Sequence, residues 1–123
     1  MKTGKNTEYK TVAKRYSQAL RELADSNSVK KDIILKDLVK VVDTLKVSEE
    51  LVNLMKSPSV SKSDKKKVLE KIFKGKVLFI TKNFLLYLVE KDWFAILGSV
   101  MEEYSSELDR DNNYIDIEIV SAI

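Results

Sequence analysis

The segment KVLFITKNFLLYLVEK, Lys76 to Lys91, decides the fold class. Apolar side chains fall on nearly every side of a helix drawn through it, and that pattern belongs to a central helix surrounded by others. Its longest apolar stretch, Val77 to Val89, is broken by Thr81, Lys82 and Asn83. It is also shorter than the roughly 20 residues a membrane span needs, so no insertion into a bilayer is expected.

The segments on either side supply the surrounding helices. Upstream, Ser61-Lys62-Ser63-Asp64 matches a capping box opening a helix whose inner stripe is Val68, Leu69, Ile72 and Phe73. Gly75 is placed to end that helix in a left-handed conformation. Before it, Ser48-Glu49-Glu50 reads as an N-cap with an acidic first turn. The short helix that follows carries Leu51, Val52, Leu54 and Met55, and Pro58 ends it. A helix over about 29–47 sets Ile34, Leu38, Val41, Val42 and Leu45 on one side, widened by Leu35 and Val39. In the first helix, about 7–26, Val12, Tyr16, Ala19, Leu20 and Leu23 recur at helical spacing, with Ala13 and Ala24 on the flank, within an arc of roughly 140°. The polar Asp25-Ser26-Asn27-Ser28 stops it. Downstream, Asp92 reads as the N-cap of a sixth helix bearing Trp93, Leu97, Val100, Met101, Tyr104 and Leu108.

After Asn113 the period changes. Ile115, Ile117 and Ile119 alternate with Asp116 and Glu118, which predicts a strand. One strand has no partner in a helical domain. The expectation is an all-α six-helix bundle over residues 1–113, with 114–123 beginning a strand-containing second domain or forming a disordered tail. The isolated domain is expected to be monomeric.

Composition agrees with a helical domain and excludes several chemistries. The 123 residues include only 3 glycines and 1 proline. With no Cys and no His, disulfides, thiolate chemistry, imidazole ligands and a Ser-His-Asp triad are impossible. The net charge of +3 comes from 22 basic and 19 acidic side chains with both signs interleaved. The N-terminal MKTGKNTEYK has no apolar core, so no secretory signal is read there.

Each candidate for chemistry has a plainer account. Lys62, Lys65, Lys66, Lys67, Lys71, Lys74 and Lys76 form a basic run, but Asp64 and Glu70 interrupt it and no aromatic interleaves to stack on a base. A solvated helix face explains it better than nucleic-acid binding. Asp109, Asp111 and Asn113 match the start of a calcium loop, yet Tyr114 and Val120 stand where Gly and Glu are required. Glu102, Glu103 and Glu107 read as an exposed acidic face, and Trp93 and Tyr104 as core. No Gly-rich phosphate loop occurs, and no cofactor, metal or catalytic set is expected.

The central helix is different. Its least apolar side carries Phe79, Lys82, Asn83, Leu86 and Glu90, with Ile80 and Tyr87 on the shoulder. A mixed strip of this kind suits a helix-binding groove, in which apolar residues supply area and a few polar groups set register. Coverage by the chain's own helices is the competing account.

The whole order of segments resembles one family. Val12-Ala13-Lys14-Arg15-Tyr16-Ser17-Gln18-Ala19-Leu20-Arg21-Glu22-Leu23-Ala24 resembles the opening helix of ATP synthase delta subunits, whose mitochondrial member is the oligomycin-sensitivity-conferring protein. The resemblance continues through Leu51 to Ser61, Lys66 to Ile72 and Asn83 to Lys91, and ends at Ile119-Val120-Ser121-Ala122. Two departures stand out: Asp92-Trp93 replaces a common Gly-Arg pair, and Arg21 replaces a common aromatic.

The resemblance implies a six-helix N-terminal domain at the top of a peripheral stalk. Helices one and five would form a groove for the N-terminal helix of an alpha subunit, through Tyr16, Ala19, Leu20, Leu23, Asn83, Leu86 and Tyr87. A missing C-terminal domain would meet a b-type stalk subunit. The implied role is non-catalytic: a stator part in proton-driven ATP synthesis, peripheral to the cytoplasmic face of a bacterial inner membrane or the matrix side of a mitochondrial one.

Overall fold

Short polar residues mark most of the helix ends. In the computed structural model the backbone is described for residues 2–122 and the side chains for residues 8–110. Among the described residues six α-helices follow in chain order: α1 (Lys2–Ser26), α2 (Lys31–Val47), α3 (Glu49–Lys56), α4 (Lys62–Phe73), α5 (Phe79–Glu90) and α6 (Leu97–Ala122). A 3-10 turn, Phe94–Ile96, precedes α6. No strand occurs among the described residues, and the bundle is all-α as expected. Ile115, Ile117 and Ile119, where alternation predicts a strand, fall inside the bounds of α6 but outside the described side chains. The boundary expected at 113/114 falls outside them too.

The expected serine caps are in place. The Leu51 N–H donates to Ser48 Oγ at 3.3 Å, and the Asp64 N–H donates to Ser61 Oγ at 3.1 Å. Each satisfies a donor that a helix start leaves orphaned. At the end of α1 the Val29 N–H bonds Ala24 O at 2.8 Å and the Ser28 N–H bonds Asp25 O at 3.2 Å. That is a Schellman stop, with Ser28 in the left-handed region at φ 56°. Gly75 also adopts positive φ, 73°, but as the third residue of a type II turn: Lys74 sits at φ −57°, ψ 123°, and the Lys76 N–H closes on Phe73 O at 3.0 Å.

Asp92 differs from its expected role. It does not start α6; it ends α5. Its φ is 61°, its N–H bonds Val89 O at 3.2 Å, and the Trp93 N–H bonds Leu88 O at 2.8 Å. This is a second Schellman stop, whose left-handed position glycine fills most readily. An aspartate is tolerated there because its short polar side chain favours this region more than most. Its carboxylate also lies 3.3 Å from Lys62 Nζ.

The core forms around α5, which buries Ile80, Thr81, Phe84, Leu85, Leu88 and Val89. Ala13, Ser17, Leu20 and Ala24 form the buried ridge of α1, and α6 is its most extensive neighbour. Ile34, Leu38 and Val41 of α2 and Leu97, Val100 and Tyr104 of α6 complete the centre. Val39, expected to widen the buried side of α2, is exposed. Arg21 reaches Glu107 at 3.7 Å and links α1 to α6, a partly exposed pair of small net worth.

Tyr104 is fully buried, and its hydroxyl donates to Lys31 O at 2.8 Å. Burial, above all, raises its pKa from the usual 10.0. The folded chain therefore keeps a proton that the unfolded chain gives up above pH 10. Stability contributed by this group is fully present below pH 10 and falls as pH rises. Urea midpoints at pH 7 and about pH 11 should show this loss, and Tyr104→Phe should flatten it while costing about 1 kcal/mol at pH 7. At position 92, urea unfolding should rank Asp92→Gly above the parent by about 0.5 kcal/mol and Asp92→Val below it by about 1 kcal/mol.

Candidate functional site

α5 has no side-chain cap of its own; its N-cap residue is Leu78. The missing acceptor comes from α2. Asp37, which is buried, accepts from the Leu78 N–H at 2.9 Å and from Thr81 Oγ1 at 2.8 Å, both on Oδ2. A carboxylate at a helix start also faces the positive end of the helix dipole. One turn along α2, Lys40 Nζ donates to Lys76 O at 2.6 Å, in the loop that leads into α5. Two side chains of one helix thus fix where α5 begins. Nothing in the local sequence around Leu78 marks Asp37 for this task, because the two are far apart in the chain.

α5 held in this way lies alongside α1, and a groove of about 390 Å³ runs between them. α1 contributes Tyr16, Ala19, Leu20 and Leu23, with Asn27 at one end. α5 contributes Asn83 and Tyr87 with Phe79, Ile80 and Phe84. Six of the seven residues expected from the sequence are therefore brought together. The seventh, Leu86, is half-buried and does not line the groove, since it lies about 100° around α5 from Tyr87. Phe79, Ile80, Phe84 and Asn27 extend the expected set.

The groove has a dry floor and an apolar rim. Leu20 is fully buried and Ile80 nearly so, so they can only be floor. Phe79 is 60% exposed, and Leu23 and Tyr87 are each 46% exposed. Large apolar side chains this open, gathered along one concave strip, make it the candidate interaction site. The aromatic wall is organised: Tyr16 meets Tyr87 edge-on at 5.8 Å and Phe84 edge-on at 6.1 Å. Partial burial and then the neighbouring Tyr87 raise the Tyr16 hydroxyl above its ordinary value of 10.0. Lys91 Nζ sits 5.7 Å from the Tyr87 ring centre, a cation–π contact at the strip's end. Ala19 is exposed and small, so it leaves the backbone of α1 open to approach.

The remaining candidates fall into structural roles. Lys62 Nζ donates to Glu90 O at 2.9 Å, and Lys66 pairs with the Glu90 carboxylate. Two members of the basic run thus bind α4 to the end of α5, and the Lys66 hydrogen bond lowers the Glu90 pKa. Lys67, Lys71 and Lys74 are exposed. Glu107 pairs with Arg21 and with Arg110 at 3.2 Å. No group of three metal-ligating side chains exists among the described residues, and Asp111 and Asn113 lie outside them. No described helix is long and apolar enough to cross a membrane.

Comparison with known proteins gives the family. The sequence model of the ATP synthase delta (OSCP) subunit matches residues 12–123. The chain belongs to that family. ATP synthase subunit delta of Clostridioides difficile (strain 630) is 42% identical over 113 residues, 91% of this chain and 62% of the relative. The protein of the same name from Clostridium botulinum (strain Langeland / NCTC 10281 / Type F) is 35% identical over 115 residues, 94% of this chain and 64% of the relative. The chain thus spans a little under two thirds of these delta subunits.

The Asp37 cap predicts a remote effect on the groove. Asp37→Ala leaves the Leu78 N–H and the Thr81 hydroxyl without their acceptor, at a cost of about 1–3 kcal/mol. Hydrogen exchange should accelerate at the start of α5 and leave α6 protected, whereas uniform acceleration would deny Asp37 a local role.

Proposed function

We propose that this chain is the helical head-binding part of an F-type ATP synthase stator subunit, and that the α1–α5 groove takes the N-terminal helix of an alpha subunit. The observation that carries the reading is the exposed apolar strip of Leu23, Phe79 and Tyr87 along a groove open between two helices. An amphipathic helix laid there would cover the strip with its apolar face, while Asn27 and Asn83 offer polar groups that set its register. Membership of the delta subunit family supplies the assembly in which such a helix would be found.

On this reading the protein does no chemistry. It ties the catalytic head to the peripheral stalk, so that torque from the rotor drives synthesis without spinning the head. The contact with a b-type stalk subunit is assigned to the part of the relatives that this chain does not cover. The bacterial relatives favour a peripheral position on the cytoplasmic side of a bacterial inner membrane.

Ala19→Asp tests the groove. It adds bulk and an unpaired charge where the partner helix must approach closely. Burying a polar group without a partner costs on the order of 1–3 kcal/mol, and a charge costs more. Since ~1.4 kcal/mol is a factor of ten, titration with a synthetic peptide of the cognate alpha N-terminus should show a tenfold to hundredfold loss. Circular dichroism should show an unchanged bundle, because Ala19 is exposed. Lys67→Asp should bind as the parent does, with little dependence on salt. A b-type stalk peptide should not bind residues 1–123. Full affinity in a folded Ala19→Asp chain would place the helix elsewhere.

A further inference from the structure

A second and larger cavity, about 530 Å³, lies away from the α1–α5 groove and shares no lining residue with it. It opens where α2, α3 and α4 meet the C-terminal end of α5 and the 3-10 turn. Its apolar walls include Leu45, Met55, Val89, Phe94 and Leu97, one or more from almost every element that meets there. A volume of this size is within the roughly 300–1,000 Å³ of small-molecule sites. The α1–α5 groove runs along two helices, whereas this cavity, about as open, is lined by one to three residues from each of several elements and offers no two-helix track.

Its charges point one way. Lys56 and Lys65 both line it, and neither has an ion-pair or hydrogen-bond partner among the described residues. The one acid on the lining, Asp92, lies 3.3 Å from Lys62 Nζ and is already balanced. Two lysines without such a partner among the described residues therefore line an apolar chamber. Such groups attract an anion, and the chamber rewards an apolar body with about 0.8 kcal/mol for each buried CH₂.

We propose that this cavity binds a single-chain anionic amphiphile, specifically a free medium-chain fatty carboxylate, with its tail among Met55, Val89 and Phe94 and its head between Lys56 and Lys65. The proposal does not depend on the stator role, because none of these residues takes part in the groove.

The test is a titration of the isotope-labelled chain with decanoate below its micellar concentration, followed by amide NMR. Saturable shifts are expected at Val52, Met55, Val89 and Ala95, with Tyr16 and Tyr87 unmoved. Lys56→Glu with Lys65→Glu should weaken binding at least tenfold. Ala95→Trp, which fills the mouth from an exposed position, should do the same without relying on charge. Decyltrimethylammonium should not bind, and sedimentation with phosphatidylglycerol vesicles should leave the chain in the supernatant. Non-saturating shifts, equal binding of the cationic amphiphile, or unchanged affinity in folded variants would overturn the proposal. So would shifts at these amides with an acidic amphipathic peptide but none with decanoate, which would make the occupant a protein segment. Sedimentation with the vesicles in the absence of decanoate binding would make it a bilayer.

Discussion

One carboxylate sets the position of the central helix. α5 is the most apolar helix of the chain and carries nothing at its start to accept the N–H groups it exposes there. Asp37 supplies the acceptor from α2, and Lys40 holds the preceding loop by the carbonyl of Lys76. At the other end Lys62 and Lys66 reach across from α4 to the last carbonyl and carboxylate of α5. A buried apolar helix packs by area, which is non-directional and fixes neither its axial position nor its rotation. The polar ties at its two ends provide that direction. Everything α5 presents to its surroundings, including the side chains of the groove, inherits its place from them.

The groove follows from what α1 does with its faces. Its ridge of Ala13, Ser17, Leu20 and Ala24 is spent on the core, with α6 as its broadest neighbour. Tyr16 and Leu23 are left on the flank toward α5, and Leu23 stays 46% exposed among the described residues. Tyr16 braces Tyr87 and Phe84 edge-on, so the strip is a set surface and not a loose collection of side chains. A preorganised apolar surface of this kind binds without first paying to order itself. On the proposed reading the contact must hold under torque, and a preorganised acceptor would suit that demand.

Much of the architecture was legible because local rules and tertiary packing agree. Ser48 and Ser61 cap the helices their positions predict, Pro58 and Gly75 punctuate as expected, and the all-round apolar pattern of 76–91 does belong to a central helix. The rest was hidden for specific reasons. Asp92 resembles an N-cap by composition, and only its positive φ shows that it closes α5. Asp37 sits on an apolar-flanked stretch of α2 and caps a helix some forty residues away, a relation no local pattern encodes. Of the groove, the α1 residues Tyr16, Ala19, Leu20 and Leu23 come from the family resemblance; helical spacing alone sets all four on the apolar arc, whereas Ala19 and Leu23 are exposed. The α5 half was read with its centre rotated toward Leu86. Periodicity shows which side of a helix is mixed, but the direction of its neighbour decides which part of that side becomes a groove.

The account rests on a helix lying between α1 and α5. The most direct measurement is intermolecular NOE spectroscopy between the labelled chain and an unlabelled alpha N-terminal peptide. The account predicts contacts from apolar peptide side chains to the ring protons of Tyr16, Phe79 and Tyr87 and to the Ala19 and Leu23 methyls. It predicts none to the lysine face of α4. A bound peptide whose contacts avoid those rings, or that touches Lys67 and Lys71 instead, would contradict it.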